Sequence, residues 1–133
     1  MSSNFHDLPL EARQELIECV KDALEYTEDV AELHFHAFNE DYFIIGHYDA
    51  EQWLVKNAGG VFNAIGDIQE YEDDMFGERH TDCSSAESVC NMFVYIAGDE
   101  LIAELESVRE HRDEPMTDEI KAAILQELEE MEK

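Results

Sequence analysis

Basic residues are scarce in this chain. Its 133 residues include eight Lys plus Arg against 34 Asp plus Glu, for a formal net charge of −26. A small soluble domain needs a net charge of magnitude only about 2–8, and self-repulsion at −26 weakens the compact state. The shortage excludes nucleic acid and anionic membranes as direct partners, because both are bound through Lys and Arg. A basic protein surface, cations or high salt remain. Cysteine is scarce too. Cys19, Cys83 and Cys90 are odd in number and none lies in a C-x-x-C pair. That pattern suits reduced thiols, with Cys19 and Cys90 at helix positions facing a core. No apolar run approaches the roughly 18 residues of a membrane span. The start, "MSSNFHDLPLEARQ", lacks the basic and apolar segments of a secretory signal. The expected location is the cytoplasm, or the host cytoplasm if the chain is phage-encoded.

Enough apolar material is present for a core. Apolar residues make up 44% and aromatics 10%, too many for the disordered chain that the acid content alone would suggest. The length fits one domain, 1–133, and no repeat or linker divides it.

Apolar spacing predicts a mainly α, compact helical bundle of about five to six helices. A first helix spans about Pro9 to Tyr26, with Pro9 in its first turn and Leu16, Ile17, Val20, Ala23 and Leu24 on one face. From Glu28 to Tyr48 two readings compete. "DVAELHFHAF" continues as a second helix ended by Asn39 and followed by a buried apolar connection, or a short β segment lies around 33–47. Asp49 caps a short helix, with Gln52 three residues on, and "AGG" at 58–60 stops it. "GVFNAIGDIQEYEDDMFG" forms the next, burying Val61 or Phe62, Ile65 and Ile68, with Met75 and Phe76 as further candidates. Ser84 and Glu87 make a capping box for a long helix from about Ala86 to Arg109. Its apolar face is Val89, Cys90, Phe93, Ile96, Ala97, Leu101, Ile102 and Leu105. Gly98 weakens that helix midway, a place for another helix to pack closely. Thr117 caps a last helix carrying Ile120, Ile124, Leu125 and Leu128.

Motifs for chemistry are thin. "AGG" and "AIG" lack the spacing of a phosphate loop, and nothing basic lies between Lys56 and Arg79. His34 and His36 would share a face on a strand, as zinc ligands do, but diverge on a helix. "NED" at 39–41 and "EDD" at 72–74 do not match the twelve-residue calcium loop. Cys83 near His80 is the best nucleophile–base pair available, and it lacks a third member. No enzyme activity, catalytic residue, cofactor or metal is expected.

The acids, by contrast, are organised. Glu11, Glu15, Glu18, Asp22, Glu25 and Asp29 follow steps of four and three residues, which places carboxylates about 5–6 Å apart along one helix face. Asp67, Glu70, Asp74 and Glu78 repeat the pattern, and Glu100, Glu104, Glu106, Glu110 and Asp113 or Glu114 extend it. Ordinary solvated helices alternate signs at these spacings, whereas like charges there cost stability. Such rows on a rigid scaffold imitate the field of nucleic-acid phosphates toward a basic cleft. The expected contact residues are Glu11, Glu15, Glu18, Asp22, Glu25, Asp67, Glu70 and Asp74.

In charge density, size and helicity the chain resembles the DNA-mimic inhibitors of bacteriophages and mobile elements, which block restriction enzymes, CRISPR nucleases or nucleoid proteins. The stretch "FNEDYFIIGHYDAEQWL", with its "N-x-D-Y-F-I-I-G" and "A-E-x-W-L", is similar to a segment of small phage-encoded proteins of unknown function. The first resemblance implies an inhibitor of a basic nucleic-acid-binding protein; the second implies phage or prophage origin and brings no activity. Within that stretch Tyr42, Phe43, Ile44, Ile45, Trp53 and Leu54 read as core, with Gly46 allowing a tight turn. An exposed Tyr and Trp would instead be a binding hot spot. Two competing accounts stand beside mimicry: a non-mimetic adaptor for a basic protein, and adaptation to high salt. The four Arg and four Lys do not separate them. A two-fold homodimer would lengthen the acidic face.

Overall fold

The structure is a computed structural model that describes residues 5–38 and 49–132. Among these residues it has seven α-helices and no strand: α1 (Leu10–Leu24), α2 (Leu33–Phe38), α3 (Ala50–Ala58), α4 (Val61–Phe76), α5 (Ala86–Ala103), α6 (Glu106–Glu110) and α7 (Asp118–Met131). Short 3₁₀ turns at Phe5–Asp7 and Val30–Glu32 precede α1 and α2. Seven helices exceed the expected five to six because the long helix predicted to Arg109 breaks. It ends at Ala103 with Glu104 as C-cap, and Leu105 turns extended before α6 begins.

The centre of the molecule is α5. Val89, Cys90, Phe93, Val94, Ile96, Ala97, Gly98, Leu101 and Ile102 are all buried on it. A helix apolar around most of its circumference needs neighbours on several sides. α5 has them in α2, α3, α4 and α6, while α1 packs on α2 and α7. The tail of α1 is tied to the approach to α7. Val30 N–H donates to Glu114 O at 3.1 Å and Met116 N–H to Glu28 O at 2.7 Å, about an isolated antiparallel bridge of Asp29 with Pro115.

Local chemistry accounts for most boundaries. Asp49 caps α3 by accepting from Glu51 N–H at 2.9 Å. Gly59 closes α3 at φ 78°, and Gly60 N–H returns to Leu54 O at 2.9 Å. That left-handed position favours glycine. Thr117 caps α7 through Ile120 N–H at 3.2 Å. The α5 cap lies one residue beyond the predicted one: Ser85, not Ser84, accepts from Ser88 N–H at 3.1 Å. Ser84 N–H instead donates to Asp82 Oδ1. Pro9 is likewise the N-cap of α1 rather than a member of its first turn.

Between 30 and 38 the helical reading holds, and the β segment is corrected there, since Leu33, Ala37 and Phe38 are buried at helical spacing. Residues 39–48, including Tyr42–Gly46, lie outside the described residues. Trp53 and Leu54 are core, as expected. Phe62 is 89% exposed, and Met75, Phe76 and Leu125 are exposed as well. Ile68 is buried as expected and Val61 and Ile65 are half-buried against the core, while Ala64 and Glu72 complete the buried stripe of α4.

Gly98 is the place of close approach. A Cβ there would stand 2.5 Å from Cδ2 and Cε2 of the Phe38 ring, and Phe38 is itself 3% exposed. Ala at a helix interior normally gains about 1 kcal/mol over Gly, but overpacking a filled core costs about 1–3 kcal/mol. Gly98→Ala is expected to lose up to about 2 kcal/mol net in urea denaturation. A gain in stability would show that the α2–α5 contact is loose.

Candidate functional site

Charge dominates the surface. Of the described carboxylates, Glu72 is buried, and Glu15, Asp67, Glu100, Glu127 and Glu132 are half-buried; the others are exposed. Five of the seven described Lys and Arg residues are drawn into contacts within the fold. Lys21 pairs with Glu132 at 3.0 Å, Lys56 with Glu11 at 3.0 Å and Arg79 with Asp73 at 2.9 Å. Arg13 Nε donates to Leu8 O, and an Arg109 guanidinium N–H to Ala103 O. Such pairs tie elements together and leave the remaining carboxylates facing water without compensation.

The predicted α1 row divides in two. Its first half serves the fold. Glu11 holds Lys56 of α3, and Glu15 accepts from the indole N–H of Trp53 at 3.5 Å. Its second half, Glu18, Asp22 and Glu25, is exposed and makes no ion pair with a described residue. The α4 row divides in the same way. Glu70 and Asp74 are exposed, whereas Asp67 turns half-buried into a pocket. The two helices are not packed as neighbours; α4 packs on α5 and α3. The eight predicted contact residues therefore do not form one continuous row. The proposed extension is interrupted too, because the break at Glu104 separates Glu100 and Glu104 from Glu106 and Glu110. Glu104 is also engaged by His6 at 2.7 Å, and burial together with Glu104 raises the Glu100 carboxyl above its ordinary value.

Glu72 is the carboxylate that sequence reasoning missed. At 2% exposure it accepts from the Thr81 hydroxyl at 2.8 Å and the Thr81 N–H at 3.2 Å. It pins the loop between α4 and α5 to the helix. The available signal was its spacing of four from Ile68, on the apolar face and off the acidic row.

His34 and His36 part on α2, as a helix requires. The His34 ring bonds Tyr95 O at 3.1 Å, while the His36 ring packs edge-on to Tyr26. His80 lies against Phe76 and 3.7 Å from Glu78, and the Cys83 thiol donates to Thr81 O at 3.6 Å. Burial and then Glu72 and Asp82 raise the Cys83 thiol, opposite to what a nucleophile needs. A cleft of about 440 Å³ beside this loop is walled by Phe35, Phe38, Met92 and Tyr95, with Asp82 and Asn91 at its polar side.

Cys19 and Cys90 are pushed up to about 12, first by burial and then by carboxylates that include Glu15 near both. In the unfolded chain each thiol loses its proton near 9.0. Between 9 and 12 the fold holds protons that the unfolded state has released, so stability falls as pH rises through that window. The fall is at most about 1.4 kcal/mol per thiol per pH unit. Tyr71, raised by burial, and Lys21, raised by Glu132, act in the same direction. Thermal melts from pH 8 to 11 are expected to drop steeply, and a Cys19→Ala, Cys90→Ala double variant to drop less. A thiol reagent at pH 8 is expected to label Cys83 alone until denaturant is added.

Fold and surface together define an acidic, all-α protein whose outward carboxylates are largely uncompensated. Among the described residues no helix is long and apolar enough to cross a membrane. No protein-family model, curated protein or solved structure matches the chain.

Proposed function

We propose that this protein imitates the charge of nucleic acid and inhibits a basic DNA- or RNA-binding protein by occupying its cleft. The observation that carries the reading is the disposition of charge. Lys21, Lys56 and Arg79 are consumed in pairs with Glu132, Glu11 and Asp73, while Glu18, Asp22, Glu25, Glu70 and Asp74 stay exposed and unpaired among the described residues. A surface of one sign on a well-packed helical scaffold is what steers a basic cleft and holds it. Its contact set is narrower than the eight residues read from spacing, because Glu11 and Glu15 are tied to α3 and Asp67 turns into a pocket.

A second reading has an observation of its own. α4 ends on the adjacent exposed pair Met75 and Phe76, close to Asp74, and a contiguous apolar patch rimmed by polar residues marks an ordinary protein interface. A non-mimetic adaptor would bind through these.

Capture from bacterial lysate at low salt, with duplex DNA as competitor, separates the two. Mimicry predicts capture of a nucleic-acid-binding protein that DNA displaces, with affinity falling steeply as salt rises. A partner indifferent to DNA and lost on Phe76→Ser would instead establish the adaptor.

A further inference from the structure

Phe35 stands outward on α2 at 58% exposure, between the buried Leu33 and Ala37. Tyr95 stands outward on α5 at 37%. Neither ring is spent on the core, yet both open onto one cleft of about 440 Å³, whose walls include Phe38 and Met92. We propose that this cleft is a docking site for one apolar side chain that the basic partner carries between Lys or Arg residues. The inference rests on the reading that the partner is basic, and adds to it an apolar anchor, which a field of carboxylates lacks.

The rings around the cleft are contiguous. His34 lies 4.2 Å from Tyr95 and 5.9 Å from Phe38 between ring centres. His36 stands 5.7 Å from Phe35 and 5.5 Å from Tyr26, which is itself 47% exposed. Single exposed apolar residues are ordinary, whereas a contiguous patch rimmed by polar groups marks a binding surface. Phe, Tyr and Met are the side chains in which interface centres are rich. The cleft's volume lies within the range of about 300–1,000 Å³ for ligand sites, enough to take in a side chain rather than water alone.

Charge selects the occupant. Asp82 lines the cleft, and Ser84, first through its hydroxyl and then through its N–H, holds that carboxyl below its ordinary value. Asp99, one turn beyond Tyr95 on α5, is exposed and stands 3.7 Å from the His34 ring. Glu32, three residues before Phe35, is exposed too. Among the described residues no Lys or Arg lines the cleft, and Arg79, in the neighbouring loop, is spent on Asp73 at 2.9 Å. A second copy would bring the same charge of −26 against this one and is repelled. An acidic peptide or an anionic membrane is refused for the same reason. An apolar side chain with cations beside it meets both the walls and the rim, and the ring faces attract any cation placed over them. In such an interface the desolvated centre supplies affinity and the charged rim selects the partner.

The test uses three capped pentapeptides: Lys-Arg-Leu-Arg-Lys, Lys-Arg-Gly-Arg-Lys of equal charge, and the uncharged Ser-Ser-Leu-Ser-Ser. Each is titrated at fixed ionic strength into protein labelled for NMR at its methionine methyls and backbone amides. The leucine peptide is expected to bind about tenfold tighter than the glycine peptide, the worth of burying most of one leucine side chain. The uncharged peptide is expected to bind weakest. Saturable shifts are expected at the Met92 methyl and along 88–95, with the Met75 methyl of α4 unmoved. Phe35→Gln, outward on its helix, is expected to leave the melting temperature unchanged and to bring the leucine peptide down to the glycine peptide's affinity. Equal affinity of the two basic peptides, tighter binding of the uncharged one, shifts centred on Met75, or indifference to Phe35→Gln overturns the docking site. So does a lower melting temperature in Phe35→Gln, which would mean that the chain itself already covers the ring, or a dimer in sedimentation that Phe35→Gln dissociates. Equal affinity of the basic peptides would leave charge mimicry standing, and a failed lysate capture would leave the leucine-over-glycine ratio measurable.

Discussion

Trp53→Ala is expected to remove about 3–5 kcal/mol of stability, the cost of deleting a large aromatic from a packed core. Whole-domain stability is about 5–15 kcal/mol, so that loss removes a large share of it. Trp53 is 1% exposed and packs edge-on to Phe93 at 6.3 Å between ring centres. It joins α3 to the central helix, and its indole N–H reaches Glu15 of α1 at 3.5 Å. The truncation therefore opens a cavity and takes a donor from a half-buried carboxylate in one step. Trp53→Phe keeps most of the ring and loses the donor, and its cost is expected to be less than half as large. Urea denaturation followed by circular dichroism is the measurement, since Trp53 is the chain's one tryptophan and its fluorescence disappears with it. A loss under 1 kcal/mol would mean that the core closes over the site and that α3 is not anchored there.

Reversal of Glu18, Asp22 and Glu25 to Lys is expected to abolish capture of a basic partner while leaving the protein as stable as before or more so. These side chains are exposed and unpaired among the described residues, and their like charges repel along α1 at spacings of three and four. Close charge pairs across an interface couple by about 1.5 kcal/mol or more, so three reversals are expected to cost on the order of a thousandfold in affinity at low salt. The combination is diagnostic, because a mutation that merely damages the fold lowers stability and binding together. The same reversal at Glu11 and Glu15 should behave in that second way, since both are tied to residues of α3. Isothermal titration at two salt concentrations, paired with thermal melts, reads both quantities. Unchanged affinity after the triple reversal would remove this face from the interface. A salt-adapted protein with no partner would show the melting gain alone.

The outcomes for particular elements follow a pattern. Caps decided by one side chain were legible: Asp49 and Thr117 stand where the spacing of the acid or hydroxyl before an apolar run put them. Ser85 displaced Ser84 because two adjacent serines offer the same chemistry, and the Asp82 turn occupies the first. The end of α5 was not legible, since nothing between Ala103 and Glu106 breaks a helix by composition. What holds the break comes from α7, where Glu127 accepts from Glu106 N–H at 2.7 Å and from Ser107 N–H at 3.1 Å. The acidic rows were read as uniform because periodicity records which face a residue is on, not what stands opposite. Lys56 and Trp53 from α3 arrive at Glu11 and Glu15 across 45 and 38 residues of chain.

The sequence by itself determined the helical class and the excess of negative charge, because both follow from local spacing or from composition. The tertiary structure alone decided which carboxylates remain outward and unpaired, which hold α1 to α3 and which turn into a pocket. Those depend on contacts between residues far apart in the chain, and electrostatic energy is fixed by distance and burial rather than by order along the backbone.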